Sequence, residues 1–318
     1  MIDVSIIIVS WNTRDILADC LDSVYKTTSS IRFETIVIDN NSADNTCQMV
    51  RTSFPNVILI ENQANRGFAA ANNQGLDIAK GRYVFLLNSD TIVMQNAIEK
   101  LIDFADANPH AAVVGPKVLN KNGTLQPTCF MFPSITNMLL SATYLYKIFP
   151  KSRIFSRERM GWWNRDDQRQ VDVVTGCAML IRQQVIKQIG ILDENYFMYC
   201  EETDFCYRCK KAGWQILFTP DPQIIHLGGA SSIQISRPMA MQLRASILLF
   251  FAKHKSRLQY LSACLLTSLF CLLRIPYWLF HGIVLRNRHA MHRTITYLLA
   301  AFKALGGWQA LSFKAQTK

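Results

Sequence analysis

Carboxylates at the ends of apolar runs are the side chains best placed to do chemistry. Asp39 ends Ile36-Val37-Ile38-Asp39-Asn40-Asn41-Ser42, and Asp90 ends Leu86-Leu87-Asn88-Ser89-Asp90. A carboxylate at the end of a strand buried on both faces is costly unless it binds something. For Asp90, a hard oxygen ligand, a divalent cation on a diphosphate is the fitting chemistry. Asp39 can accept the imino N–H of a pyrimidine base while the residues after it form an Asx-type turn. It can also cap the next helix, although Asp44 is placed to do that. A third acidic set, Glu201, Glu202 and Asp204, opens a predicted helix, where the dipole stabilises acids even without catalysis. One of these glutamates can take the proton of a hydroxyl nucleophile. Arg208, one turn on, is placed to pair with Asp204. His226, just before Gly228 and Gly229, is a candidate for metal or phosphate contact. Trp162, Trp163 and Trp214 can stack on sugar or lipid, with core packing the default for any one of them.

Several chemistries are excluded. The chain has no glycine-rich dinucleotide fingerprint, no phosphate-loop Gly-x-x-x-x-Gly-Lys and no His-Glu-x-x-His, which removes dehydrogenases and phosphate-loop NTPases. The single Cys206-x-x-Cys209 lacks the second knuckle usual in structural zinc. Nucleotidyl transfer calls for a Gly-rich, basic N-terminal loop, where this chain has Ser10-Trp11-Asn12-Thr13.

The elements that must position these residues read as alternating strands and helices. Residues 4–9 form a β-branched run, and Ile16, Leu17, Cys20, Leu21, Val24 and Tyr25 follow at helical spacing. The pattern recurs with strands at 34–38, 57–60, 83–87 and 112–114 and with helices at 44–54, up to Ala79 and at 96–107. This predicts an α/β domain with a mostly parallel sheet. Ligands of such sheets sit off the carboxyl ends of the strands, so Trp11, Asp39 and Asp90 can line one crevice. Periodicity weakens over 119–170, read as an insertion on the side of a second substrate, and returns from 171 through a helix at 201–212, a strand at 216–218 and His226.

The chain has 318 residues, 50% hydrophobic and 18% charged, with 14 Gly and 10 Pro. That excludes disorder, collagen-like repeats and a small disulfide scaffold. Net charge is +11, but all 23 acids lie at or before Asp221, and 12 of the 34 basic residues lie after it. The expected division is a catalytic domain over 1–242 and a helical, membrane-associating region over 243–318. Residues 258–273 are almost wholly apolar and shorter than the ~20 residues of a spanning helix. With Arg274 snorkelling the stretch can cross, and with Pro276 as a break it can lie in the interface. Tyr277, Trp278, Arg286, Arg288 and Arg293 suit a headgroup layer. Basic residues interleaved with apolar runs favour lipid over nucleic acid, and no nucleic-acid partner is expected. The N-terminus shows no basic n-region or cleavage site, and the nine cysteines read as reduced thiols. The cytoplasmic face of the inner membrane is the expected location.

The ordered set Ser5-Ile-Ile-Ile-Val-Ser-Trp-Asn12, Asp39-Asn-Asn-Ser42, Asn65-Arg-Gly67, Asn88-Ser-Asp90, Thr175-Gly176, Glu201-Glu202-Thr-Asp204 and His226-x-x-Gly229 resembles the inverting family 2 glycosyltransferases, most of all the bacterial rhamnosyltransferase-like branch. The resemblance covers about residues 4–232. It implies a GT-A nucleotide-diphospho-sugar transferase fold, a nucleotide-sugar donor, Mg²⁺ or Mn²⁺, and a glycan or polyprenyl-linked acceptor. Carried onto this chain, Ser10, Trp11, Asn12, Asp39, Asn41, Asn65, Gly67, Asn88, Ser89 and Asp90 bind the donor, with Asp39 on the base. Asp90 holds the metal, with His226 as an extra ligand. Glu202 is the base with Glu201 as competitor, and Gly176, Asp204 and Trp214 lie on the acceptor side. Two positions depart from the family pattern: Asn88 stands where an Asp is usual, and Glu202 stands where Asp usually follows Glu. Both leave room for a non-catalytic nucleotide-sugar or glycan-binding membrane subunit. The donor implied is dTDP-rhamnose, with a UDP-hexose as runner-up.

Overall fold

Continuous β-branched runs make the central strands. In β1 (Val4–Ser10), Val4, Ile6, Ile7 and Ile8 are fully buried, as in a strand covered on both faces. Each such side chain contributes about 1.5–3 kcal/mol through burial. Helix α1 (Arg14–Thr27) lays Leu17, Cys20, Leu21 and Val24 on the sheet at helical spacing. The alternation continues through β2 (Phe33–Asp39), α2 (Thr46–Ser53), β3 (Ile58–Glu61), α3 (Phe68–Ile78) and β4 (Tyr83–Asn88). Gly75 lets α3 approach the sheet closely, since a Cβ there would stand 2.7 Å from Ile7 Cγ2. There follow β5 (Thr91–Val93), α4 (Ala97–Ala107), β6 (Ala111–Leu119), β7 (Leu125–Gln126) and β8 (Cys129–Phe130).

Helices α5 (Ile135–Ala142) and α6 (Leu145–Ile148) come next. The chain then forms β9 (Arg169–Gln170), β10 (Val173–Val174), β11 (Ala178–Arg182), α7 (Gln183–Ile189), α8 (Glu201–Lys211) and β12 (Gln215–His226). The last helices are α9 (Ser236–His254), α10 (Arg257–Leu272), α11 (Ile275–Ile283), α12 (Arg288–Leu305) and α13 (Trp308–Leu311).

The main sheet has the order β3-β2-β1-β4-β11-β6-β12-β5, with β7 on β6 and β9 on β12, and β8 pairs with β10 separately. Strands β1 to β4 are parallel, as the alternation predicts, and β12 is parallel to β6. The sheet as a whole is mixed: β11 runs antiparallel to both β4 and β6. It enters from the long excursion before it rather than through a helical crossover, which a parallel neighbour would need.

The computed structural model describes residues 1–228 and 236–311. These divide into two compact units, residues 1–131 with 163–228, and residues 132–162 with 236–311. The division groups 132–162 with the C-terminal helices, where the sequence suggested boundaries at 119–170 and 242/243. Within the second unit α5 packs on α10, and α12 packs on α10 and α11.

Candidate active site

Strand register assembles the donor side. Ser10 pairs with Asp39, Asp39 with Glu61, and Val9 with Asn88. Asp39, Ser10 and Asn88 therefore line the carboxyl ends of adjacent parallel strands, about 4.8 Å apart from strand to strand. Asp39 is 2% exposed; its Oδ2 accepts the Ser42 N–H at 2.8 Å. Its Oδ1 is buried with no hydrogen-bond partner among the described residues, an acceptor suited to a ligand N–H. Asn12, at φ +51°, ties two loops together: its N–H donates to Ser42 Oγ at 2.8 Å, and its Oδ1 accepts the Ala43 N–H at 2.7 Å. Trp11 is half-buried beside it, and Asn41 is exposed at φ +67°. Asp44 Oδ1 accepts the Thr46 N–H at 3.2 Å, whereas the N-cap residue of α2 is Asn45, in a left-handed conformation and without a side-chain capping bond. Ser10 Oγ, Thr13 Oγ1 and Ser89 Oγ form a buried hydroxyl chain with steps of 3.0 and 3.2 Å.

The metal-binding candidates meet although 136 residues separate them. β5 pairs antiparallel with the end of β12, with His226 opposite Thr91, and the Leu227 N–H donates to Asp90 O at 2.9 Å. His226 Nε2 then stands 3.1 Å from Asp90 Oδ1 and 3.3 Å from Asn88 Nδ2. The imidazole is oriented from behind. Gln126 Nε2 donates to Asn120 Oδ1 at 2.8 Å and to His226 O at 3.3 Å, which leaves Gln126 Oε1 to accept from His226 Nδ1 at 2.6 Å. A proton held on Nδ1 leaves Nε2, on the Asp90 side, as the nitrogen that can present a lone pair to a cation. Two donors sharing one octahedral cation at ~2.0–2.1 Å stand ~3 Å apart, which matches the observed separation. The donor set fits a divalent cation. No group of three His, Cys, Asp or Glu exists among the described residues, so diphosphate oxygens would have to complete such a sphere, as is common for Mg²⁺.

The acid pair is held by a strained entry into α8. Tyr199 and Cys200 sit at φ +67° and +66°, a left-handed pair rare for bulky residues. The loop before them clamps the 65–68 turn: the Phe68 N–H donates to Phe197 O at 2.8 Å. Gly67, at φ +81°, allows that approach, since a Cβ there would lie 2.3 Å from Phe197 O. Asn65 Oδ1 accepts the Gly67 N–H at 3.0 Å. Glu201 is 4% exposed and Glu202 is half-buried, each with a buried Oε2 that has no partner among the described residues. Burial, and then the neighbouring Glu202 charge, raise Glu201 well above the usual carboxyl range. Burial also raises Glu202, against which its backbone hydrogen bonds and a bond with Glu201 pull down. Burial thus raises both members of the pair above the usual carboxyl range.

Residues 176–177 lie between the two corners. A Cβ added to Gly176 would stand 3.1 Å from Phe68 Cε1 and 4.0 Å from Glu202 Cβ, while the Asn88 N–H donates to Cys177 O at 3.0 Å. The Cys177 thiol is pushed up to about 12 by burial, with the charges of Asp90 and Glu202 adding to the rise.

Two acceptor-side candidates have partners within the protein. Asp204 is 0% exposed and accepts from Arg208 Nε at 2.7 Å, while the same guanidinium donates to Ile189 O and Ile191 O. Through Arg208 it ties α8 to the 189–191 turn. Trp214 follows the far end of α8 from Glu202 and donates from Nε1 to Gln188 Oε1 at 2.9 Å. Trp163 is core, packed edge-on against Phe218 at 4.8 Å. Gly229 lies outside the described residues. Sequence reasoning missed Gln126, Thr13 and Phe197, which act only through pairing with distant strands and turns. It also missed Asn40, whose Nδ2 donates to Gly67 O at 3.2 Å and whose Oδ1 accepts from Asn62 Nδ2 at 3.0 Å; the Asn40-Asn41 pair was its one visible signal.

Residues 5–190 match the family model described as Glycosyl transferase family 2. N-acetylglucosaminyl-diphospho-decaprenol L-rhamnosyltransferase of Mycobacterium tuberculosis is 28% identical over 204 residues. That match covers 60% of this chain and 65% of the relative, so less than two thirds of the relative's length is spanned. Low-salt glycan biosynthesis hexosyltransferase Agl10 of Haloferax volcanii is 26% identical over 84% of this chain and 82% of its own. Among solved structures, the mannosyltransferase PcManGT from Pyrobaculum calidifontis, in complex with GDP-Man and Mn²⁺, has a TM-score of 0.57 at 14% identity, over 95% of this chain and 86% of that one. S. aureus TarS 1–349 has a TM-score of 0.52 at 16% identity, over 96% and 81%. The fold is therefore GT-A.

Proposed function

The chain belongs to glycosyl transferase family 2, and we propose that it transfers a sugar from a nucleoside-diphosphate donor to a hydroxyl of a lipid-linked or cell-surface glycan, with inversion, at the cytoplasmic face of a membrane. The observation that carries this reading is the pairing of two corners across Gly176 and Cys177. One is a cation donor set of Asp90 and His226 with Asn88 beside it, and the other is the acid pair Glu201 and Glu202 at the start of α8, each with a buried Oε2 that has no partner among the described residues.

In this reading Asp39 Oδ1 accepts the base N–H, and the Ser10, Thr13 and Ser89 hydroxyls and the Asn12 turn shape the floor. Asp90 and His226 would hold Mg²⁺ or Mn²⁺, which when bound neutralises charge on the leaving diphosphate. Glu202, ionised, takes the acceptor hydroxyl proton as the hydroxyl attacks the anomeric carbon, and a single displacement inverts that centre. Glu201, neutral, donates to Glu202 and keeps it aimed. Glu in place of Asp at 202 moves the base one methylene outward, and Asn88 removes one charge from the cation corner without removing a hydrogen-bonding group.

The favoured donor is dTDP-rhamnose, supported by the likeness to the mycobacterial L-rhamnosyltransferase, with a UDP-hexose as the second choice. A polyprenyl-diphosphate-linked acceptor suits the basic, apolar C-terminal helices, which would bring the chain to the membrane surface. The test is a donor screen on the full, detergent-solubilised chain, with and without Mn²⁺ or Mg²⁺ and membrane lipid extract, reading released nucleoside diphosphate across dTDP-, UDP- and GDP-sugars. Metal-dependent release from one donor is the expected result. Silence from every donor would favour a non-catalytic nucleotide-sugar-binding subunit instead.

A further inference from the structure

The C-terminal helices are built inside out. α10 exposes Leu258, Leu261, Leu265 and Leu272 along one stripe and buries Ala263, Cys264, Thr267 and Cys271 on the other face. α12 does the same, with Ile295, Leu298, Leu299, Phe302 and Leu305 outward and Ala290, Ala300, Ala301 and Ala304 inward. Leu265 is 62% exposed and Phe302 66%. A helix whose partner is water turns its large apolar side chains inward; small residues inside and leucines outside are the arrangement of helices that pack in lipid. Residues 132–162 and 236–311 contain a single acid, Glu158. The exposed Arg257, Arg286, Arg288 and Lys303 lie at the helix ends, where anionic headgroups attract them.

The run Arg257–Ile283 is long and apolar enough to cross a membrane, and 33% of its most apolar window is buried. Its middle argues against crossing. α10 alone, 16 residues, is about 24 Å long, short of a ~30 Å hydrocarbon core. At the break after it, buried Arg274 donates to Phe270 O at 2.6 Å, Ser141 O at 3.3 Å and Ala142 O at 3.4 Å, and lies 4.1 Å from the Tyr144 ring centroid. A crossing helix would carry Ser141 and Ala142 to hydrocarbon depth with it. Lys147, Lys151 and Arg153 follow closely in the chain, and cations are costly there.

We propose that the exposed face of α10, α11 and α12 docks into one leaflet of a bilayer bearing anionic headgroups, as an anchor that does not cross it. This deepens the membrane association proposed above. The experiment uses the full chain without any donor, so its failure leaves the transfer reading untouched. Flotation with phosphatidylcholine vesicles, with and without phosphatidylglycerol, should show binding at least tenfold stronger to the anionic vesicles and weakening with salt. The pair Leu265→Asp and Phe302→Asp, on exposed positions, should lose binding while circular dichroism is unchanged. Retained binding in that double variant, equal binding to both vesicles, or self-association without flotation would overturn the proposal. Topology is read with a membrane-impermeant maleimide on Arg288→Cys and, as reference, Asp103→Cys, in right-side-out and inverted membrane vesicles of the expressing bacterium. Labelling of both from the same face is expected; labelling of Arg288→Cys only from the opposite face, or from neither, would overturn it.

Discussion

In the proposed mechanism Glu202 is the carboxylate that takes the acceptor proton, with the buried Glu201 next to it in the chain. With Glu202 as the proposed base, kcat/KM should fall as pH drops through a value above the ordinary glutamate range near ~4.3. Glu202→Gln should lower kcat by about 10²–10⁴, and a pH–rate profile checks both statements. Glu201 acts on stability. Its folded pKa lies above its unfolded value, so its contribution is fully present below the ordinary glutamate range and is lost as pH rises through the folded value. Glu201→Gln removes that loss. Thermal unfolding of this variant should be flatter with pH than that of the parent over the window that begins at the ordinary glutamate range and ends at the raised folded value, while measurable transfer is kept. At the other corner, Gln126→Leu takes away the acceptor that holds the proton on His226 Nδ1. Metal-dependent donor binding should weaken about 10–100-fold, read by titration calorimetry with Mn²⁺.

Among the elements, the 65–68 turn and the loop before α8 are joined by the Phe68 N–H to Phe197 O bond, and in the proposed mechanism this clamp positions the acid pair. Gly67→Ala places a Cβ on Phe197 O in a left-handed conformation, a strain of about 1–3 kcal/mol. The variant should fold with a lower Tm and lose kcat more than donor affinity, because the base is displaced while Asp39 and Asp90 stay on their strands. Unchanged kinetics would mean that the clamp does not position Glu202. β11 has a comparable role: by returning antiparallel beside β4 it sets Cys177 against Asn88 and so fixes the spacing of the two corners.

Over the whole molecule, the sequence carried the parallel part of the sheet and the strand-end carboxylates clearly. Continuous apolar, β-branched runs are local signals, and Asp39 and Asp90 fall where those runs stop. The raised Glu201 and Glu202 and the pairing of Asp204 depend on burial and on Arg208 reaching the 189–191 turn, and neither is local. Gln126 was invisible because nothing in its own segment marks it; only the pairing of β7 with β6 brings it under His226. Grouping 132–162 with the C-terminal helices likewise rests on contacts across more than a hundred residues, such as Arg274 on Ser141 and Ala142. The central claim is a division of labour between Asp90 and Glu202, and it is tested most directly by measuring Mn²⁺-dependent donor binding and turnover side by side in the parent, Asp90→Ala and Glu202→Gln. Both variants should lose transfer, and only Asp90→Ala should lose metal-dependent donor binding; full activity in either, or loss of donor binding in Glu202→Gln alone, would contradict the account.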